Sequence, residues 1–269
     1  MGLPRKISHL LLPIFEKYFR VEYIGLENIP NTPFLGVGNH LGVYFMPETY
    51  LWLGKYHSLN SKPPMKVLVH KMLHNIYSAI KIPEKELGIL EASPKNAEKA
   101  LNSGSAVTVY PGGDRENSKT FSKRNEINFY NHHGYIKLAL KTGVPILPIV
   151  GIGGGETLFV LSSGEKFAEK TGLSKLFKLH SWPIYFSFPF GLHIGHLPNL
   201  SIPLPSQITL SVLPAISLEK YSSCDINDTK ILDEINEIII SNMQKEMDKL
   251  TKHRIPIIGQ IKKTKKENK

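Results

Sequence analysis

Apolar positions along the chain recur at two periods. Over residues 4–19, Ile7, Leu10, Leu11, Ile14, Phe15, Tyr18 and Phe19 fall on one broad face at helical spacing, and Arg5, Lys6 and Lys17 add positive charge. This predicts an N-terminal amphipathic helix within residues 1–20, either packed on its own domain or lying on a membrane surface. Short apolar runs then alternate with helical patterns. Runs at 21–24, 34–37, 66–69, 106–110, 146–150, 184–188 and 207–212 predict strands. Helical spacing over 47–56, 71–80, 94–102, 133–141 and 226–250 predicts helices. Ser93 before Pro94 is a helix start, and Gly143 is placed to end the helix before it. Strands alternating with helices define an α/β class: a mixed, largely parallel sheet flanked by helices, in one domain over residues 21–251.

One stretch breaks the pattern. Residues 179–218 contain no Asp, Glu, Lys or Arg, which is long enough to span a bilayer. Pro183, Pro189, Pro198, Pro203, Pro205 and Pro214 forbid a continuous helix there, so a transmembrane helix is rejected. Two readings stay open: buried strands with apolar loops, or a surface that dips into the lipid interface or lines an acyl-chain groove. Trp182, Tyr185, Phe186, Phe188 and Phe190 suit the second.

Composition narrows the class. With 41% hydrophobic and 21% charged residues among 269, a sizeable core forms and wholesale disorder is excluded. The single cysteine, Cys224, excludes a disulfide framework. The first twenty residues lack a signal peptide's order of segments. The net charge of +10 invites a nucleic-acid reading, but residues 252–269 hold seven Lys/Arg and one acid, or +6, which leaves +4 for the rest. A basic C-terminal tail over 252–269, solvated or drawn to an anionic surface, accounts for the excess. No nucleic-acid motif accompanies it, so no nucleic-acid partner is expected.

Three loops after predicted strands can carry chemistry. Gly38-Asn39-His40 follows strand 34–37, and histidine suits proton transfer near neutral pH. Tyr110-Pro111-Gly112-Gly113-Asp114-Arg115-Glu116 follows strand 106–110. Its glycines allow a tight turn with backbone N–H groups, and Arg115 suits a carboxylate or phosphate. The third, Gly151-Ile152-Gly153-Gly154-Gly155-Glu156, is a poor dinucleotide fingerprint because Glu156 stands at its sixth position. His70 and His74 share a helix face, but Lys71 stands where a zinc protease motif needs Glu, and no metal is expected. No G-x-S-x-G nucleophile elbow occurs.

Taken in order, Asn39-His40, then Pro111-Gly112-Gly113-Asp114-Arg115-Glu116, then Val144-Pro145-Ile146-Leu147-Pro148, resemble the lysophospholipid or glycerolipid acyltransferase superfamily. The lead-in at residues 21–30 and the segment 96–101 with Gly104 also resemble it, so the likeness runs from about residue 20 to 220. There are two departures. The family's His-x4-Asp acid is absent, since Phe45 stands in its place, and the nearest downstream acid is Glu48. The second block, Pro-Gly-Gly-x-x-Glu here, resembles the type-two diacylglycerol acyltransferase branch, which acts on neutral acceptors and can lack that acid.

The resemblance implies direct acyl transfer. His40 and Glu48 would be catalytic, His40 as general base and Glu48 as its partner. Asn39, Gly112, Gly113, Asp114, Arg115 and Glu116 would bind substrate. The donor would be a thioester of acyl-CoA or acyl carrier protein, with no further cofactor. The acceptor would be a lipid hydroxyl: a mono- or diacylglycerol or a long-chain alcohol, with a lysophosphatidate-type acceptor as the alternative and a non-catalytic lipid-binding relative as the second. The protein would be membrane-associated, peripheral, at the cytoplasmic face.

Overall fold

The computed structural model describes residues 3–42, 46–59, 62–177, 179–195 and 202–260. Phe45 and residues 261–269 of the expected tail lie outside the described residues. The strands are β1 (Glu22–Ile24), β2 (Leu35–Gly38), β3 (Met65–Val69), β4 (Ile89–Glu91), β5 (Ala106–Val109), β6 (Ile146–Ile152), β7 (Phe159–Ser162), β8 (Ile184–Ser187), β9 (Gly191–Ile194), β10 (Thr209–Val212), β11 (Arg254–Ile255) and β12 (Gly259–Gln260). The helices are α1 (Leu3–Tyr18), α2 (Pro47–Ser58), α3 (Lys71–Ala79), α4 (Glu84–Leu87), α5 (Pro94–Asn102), α6 (Gly113–Asn117), α7 (Gly134–Thr142), α8 (Glu165–Lys170), α9 (Leu173–Phe177) and α10 (Thr229–Thr251).

The main sheet runs β1-β10-β6-β2-β5-β3-β4. All its pairings are parallel except β10 with β6, so it is mixed and largely parallel, as the alternation of strands and helices predicts. The period-2 pattern divides the sheet into two buried faces. Leu35, Val37, Val107, Ile146, Val150 and Ile152 pack under α5, α7 and α10. Met65, Val67, Leu147, Ile149 and Leu210 pack under α1 and α2. Helix α1 fits closely on α2 because Gly54 has no side chain: a Cβ there would stand 3.0 Å from Leu12 Cδ1. Fully burying side chains such as Trp52 and Phe34 contributes about 1.5–3 kcal/mol each.

Several strands escape the sequence pattern. β4 is a three-residue edge strand, too short to show alternation. β7, β8 and β9 form a separate antiparallel sheet, of which only the run 184–188 is legible. The uncharged stretch thus holds the three short strands β8, β9 and β10 joined by loops, and its residues 196–201 are not among those described. Helix α10 starts at Thr229 rather than 226, because the Asp228 carboxylate accepts the Lys230 N–H at 2.9 Å and caps it there. The basic tail also begins later than 252: β11 and β12 pair as a hairpin, and the Arg254 side chain is buried.

Candidate active site

β6, β2 and β5 are adjacent and parallel, so the loops leaving their C-terminal ends converge. His40 follows β2, Tyr110 to Gly112 lead from β5 into α6, which carries Gly113 to Glu116, and Gly153 to Glu156 follow β6, whose last residues are Gly151 and Ile152. β2 ends at Gly38, which must be glycine because the Tyr110 ring lies where a Cβ would be, 2.7 Å away. That ring continues past Gly38 and stacks on the imidazole of His40, with centroids 4.8 Å apart and planes 23° from parallel. Burial, and then the nearby Glu48 charge, push the Tyr110 phenol upward.

His40 is only 9% exposed. Its Nδ1 stands 3.0 Å from Glu48 Oε1. Glu48 is buried at the first turn of α2, next to Pro47, where a carboxylate also complements the helix dipole. The structure thus brings the two expected catalytic residues together.

The expected substrate-binding residues divide differently. Asn39 is buried, and its amide is committed to the backbone of β6: Nδ2 donates to the Gly151 carbonyl at 3.0 Å, and Gly151 N–H donates to Oδ1 at 2.8 Å. It orients the loop that carries His40 rather than facing a ligand. Gly112 has no room for a side chain, since the Glu116 carboxylate lies 2.3 Å from its Cβ position. Gly113 takes φ 58° in open space, but its N–H is given to the Tyr110 carbonyl at 3.3 Å. The anion cradle expected from these glycines is therefore partly spent on the turn itself.

Asp114 also faces the protein. Its carboxylate accepts the backbone N–H of His180 at 2.5 Å and of Ser181 at 2.9 Å, and the Ser181 hydroxyl at 3.1 Å. Burial would raise its pKa, but the hydrogen bonds from His180 and Ser181 outweigh it and hold the carboxyl below its ordinary range. Glu116 is buried as well. Its Oε2 accepts the His40 backbone N–H at 3.2 Å, and its Oε1 lies 3.8 Å from Lys119 Nζ. Burial pushes the Glu116 carboxyl up, opposed by the Lys119 charge. Burial pushes the Lys119 ammonium down, opposed by Glu116 and then Glu48. Of the second block, Arg115 remains half-exposed. Its Nε and Nη2 both reach Glu165 Oε2, at 3.0 and 2.7 Å, and its guanidinium lies 4.1 Å from the Tyr130 ring centre.

Two contributors escaped sequence reasoning. Lys119 stands three residues after Glu116, a helical spacing that pairs side chains. Glu156, noticed only as a misfit in a nucleotide fingerprint, is a buried anchor. It takes Arg254 Nε at 2.8 Å and Nη2 at 2.9 Å, the Ser206 hydroxyl at 2.7 Å and the Ile257 N–H at 2.7 Å. The histidines set aside as zinc candidates have other work. His70 Nδ1 accepts the Met72 N–H at 3.2 Å, and His74 Nδ1 meets Glu84 at 2.7 Å.

These loops and the ordered blocks on them define a class. Residues 20–151, just under half of the chain, match the Acyltransferase family model, which supports a place in the glycerolipid acyltransferase superfamily. It is 27% identical over 245 residues to an uncharacterised protein of Mycobacterium tuberculosis, covering 91% of this chain and 65% of that protein. The chain thus spans about two thirds of the length of its mycobacterial relatives. It is 24% identical over 268 residues to diacylglycerol O-acyltransferase 2 of Dictyostelium discoideum, covering 91% of this chain and 76% of that protein. Among solved structures it is similar to the 1-acyl-sn-glycerophosphate acyltransferase PlsC of Thermotoga maritima. That match has a TM-score of 0.48 and 16% identity, over 91% of this chain and 84% of the other.

Proposed function

We propose that the protein transfers a fatty acyl group from a thioester, acyl-CoA or acyl carrier protein, to the hydroxyl of a neutral lipid acceptor such as mono- or diacylglycerol or a long-chain alcohol. The observation that carries this is the buried His40–Glu48 pair at the end of β2, 3.0 Å apart. With Nδ1 held by Glu48, Nε2 of His40 is the nitrogen that takes the acceptor proton as the hydroxyl oxygen attacks the thioester carbon. The new C–O bond forms, the C–S bond breaks, and the proton passes to the leaving thiolate. Glu48 fixes the ring and stabilises the imidazolium that forms. Base catalysis so positioned contributes about 10²–10⁴-fold. Arg115 is the accessible cation of the second block and would hold an anionic part of the donor.

The neutral acceptor is supported by the Pro-Gly-Gly-x-x-Glu block and by the name of the Dictyostelium relative. A lysophosphatidate-type acceptor would call for a further cation near His40. Arg124, whose Cβ packs at Gly155 beside Leu41, is the candidate, but its guanidinium donates to the Phe121 carbonyl at 2.7 Å and lies over the Phe121 ring, so the neutral acceptor is preferred. The test is thiol release from acyl-CoA and from acyl carrier protein, with mono- and diacylglycerol, a fatty alcohol and lysophosphatidate as acceptors. Release with a neutral acceptor, lowered at least about 10²-fold in His40→Ala, is expected. Release with lysophosphatidate alone would replace the neutral acceptor by the phosphorylated one. No release from either donor would overturn the reading in favour of a lipid-binding relative.

A further inference from the structure

The small sheet has an apolar side facing outward. In an antiparallel sheet with one covered face, the other face is ordinarily polar. Here β8 turns Tyr185 and Ser187 inward and Phe186 outward, and β9 turns Leu192 and Ile194 outward. Phe186 lies directly opposite Leu192 in the register, and Ile184 lies opposite Ile194. Leu161 of β7 is 61% exposed, and Phe188 and Leu192 are each 60% exposed. The surface continues beyond the strands. Phe188 bridges to Ile202, itself exposed, and the next residue, Pro203, accepts the Tyr18 hydroxyl at 2.6 Å. That bond ties the sheet to α1, which exposes Leu10 and Ile14.

The stretch 179–218 has no charged residue, whereas the β7–β8 connection presents exposed Lys166, Lys170 and Lys175 against one exposed acid, Glu169, beside exposed Phe167 and Leu176; Glu165 is held by Arg115. An apolar face with lysines at its flank matches a bilayer whose hydrocarbon lies beneath anionic headgroups. The sheet is also joined to the site. Phe159 of β7 follows Glu156 by three residues and packs on Phe121, with ring centres 4.9 Å apart. Asp114 grips His180 and Ser181, just before β8.

We propose that the outer face of the β7–β8–β9 sheet, built on Leu161, Phe186, Phe188, Leu192 and Ile194, is an insertion surface for an anionic bilayer, with the exposed side of α1 as its second contact. It rests on the proposed lipid acceptor only for its purpose, which is to hold the His40 loop at the lipid interface. Two weak anchors acting together suffice for stable peripheral binding.

Flotation of the full chain with phosphatidylcholine–phosphatidylglycerol vesicles tests it, against pure phosphatidylcholine vesicles. The wild type is expected on the anionic vesicles, and Phe186→Ser/Phe188→Ser/Leu192→Ser is expected to bind at least about tenfold less while keeping its melting temperature. In a Cys224→Ser background, an environment-sensitive dye at Leu192→Cys is expected to shift to shorter wavelength on the vesicles, and one at Lys99→Cys on α5 is not. Equal binding by the triple variant, or no dye shift at position 192, would overturn the proposal. So would a wild-type dimer that the triple variant dissociates, because the face would then be a self-interface. Acyl transfer to a detergent-dispersed acceptor separates this idea from the catalytic one. The triple variant should retain that activity and lose turnover of vesicle-embedded acceptor. Vesicle binding without any transfer leaves the surface standing and removes the chemistry.

Discussion

Glu48 reaches Nδ1 of His40 from the first turn of α2, not from the loop that follows the histidine. The helix, anchored by Trp52 donating to Thr108 Oγ1 at 3.0 Å, therefore sets the imidazole's orientation. Glu48→Gln keeps the shape but loses the charge that supports an imidazolium. A fall in kcat of about 10²–10⁴-fold with KM nearly unchanged is expected from steady-state thiol release. An unaltered kcat would dismiss Glu48 as the partner of His40.

Asn39 should behave as a structural residue. Asn39→Ala removes both hydrogen bonds to Gly151 and leaves buried backbone groups unmet, which costs about 1–3 kcal/mol for each group left unmet. Thermal unfolding should report that loss, with any fall in activity recovering as the temperature is lowered. A variant of native stability whose KM alone rises would return Asn39 to substrate contact.

Gly112→Ala should cost both fold and function. The added methyl meets the Cβ as well as the carboxylate of Glu116, so the turn must shift and Glu116 must release the His40 N–H. A lowered melting temperature, with activity down at least about tenfold even where the variant is fully folded, is the expected result. Gly113→Ala provides the comparison, since its Cβ position meets nothing within 4 Å, although its φ of 58° adds some strain.

The Glu156–Arg254 pair should govern acid stability. Burial would raise the Glu156 carboxyl, but hydrogen bonds and charge from Arg254 outweigh it and lower it from 4.5. A carboxyl lowered on folding adds stability that is full above about 4.5 and lost as pH falls through the folded value. Asp114 acts in the same sense, from 3.8. Glu156→Gln should therefore be less stable at neutral pH by about 3–5 kcal/mol, as expected when one partner of a buried pair is removed. Its melting temperature should also depend less on pH below 4.5 than the wild type's. Parallel acid profiles for the two proteins would remove Glu156 from this role.

The main sheet was legible because each buried strand left an apolar run and each flanking helix left a stripe. The edge strand β4 and the strands β7 and β9 were not, because three or four residues hold too few alternations to stand out. His40 and Arg115 announced themselves by residue type. The inward duties of Asn39, Asp114 and Glu116 did not, because each depends on a partner far away in sequence: Gly151, Ser181 and His40. Arg254 was counted as tail charge for the same reason, since composition cannot see that a cation is buried against Glu156.

The pairing of β1 with β10 bears on synthesis. Glu22 leaves the ribosome long before its partner Thr209, which lies in the last strand of the sheet. Non-local pairing of this kind is slow because a long loop must close first. Until β10 emerges, β1 waits without its neighbour, and α1 waits with part of its apolar surface uncovered. The nascent chain therefore carries an aggregation hazard at α1 and β1 until β10 has emerged. A lipid surface or a chaperone at the ribosome exit would shorten that exposure, so yield on expression should depend on the length of the chain that follows α1.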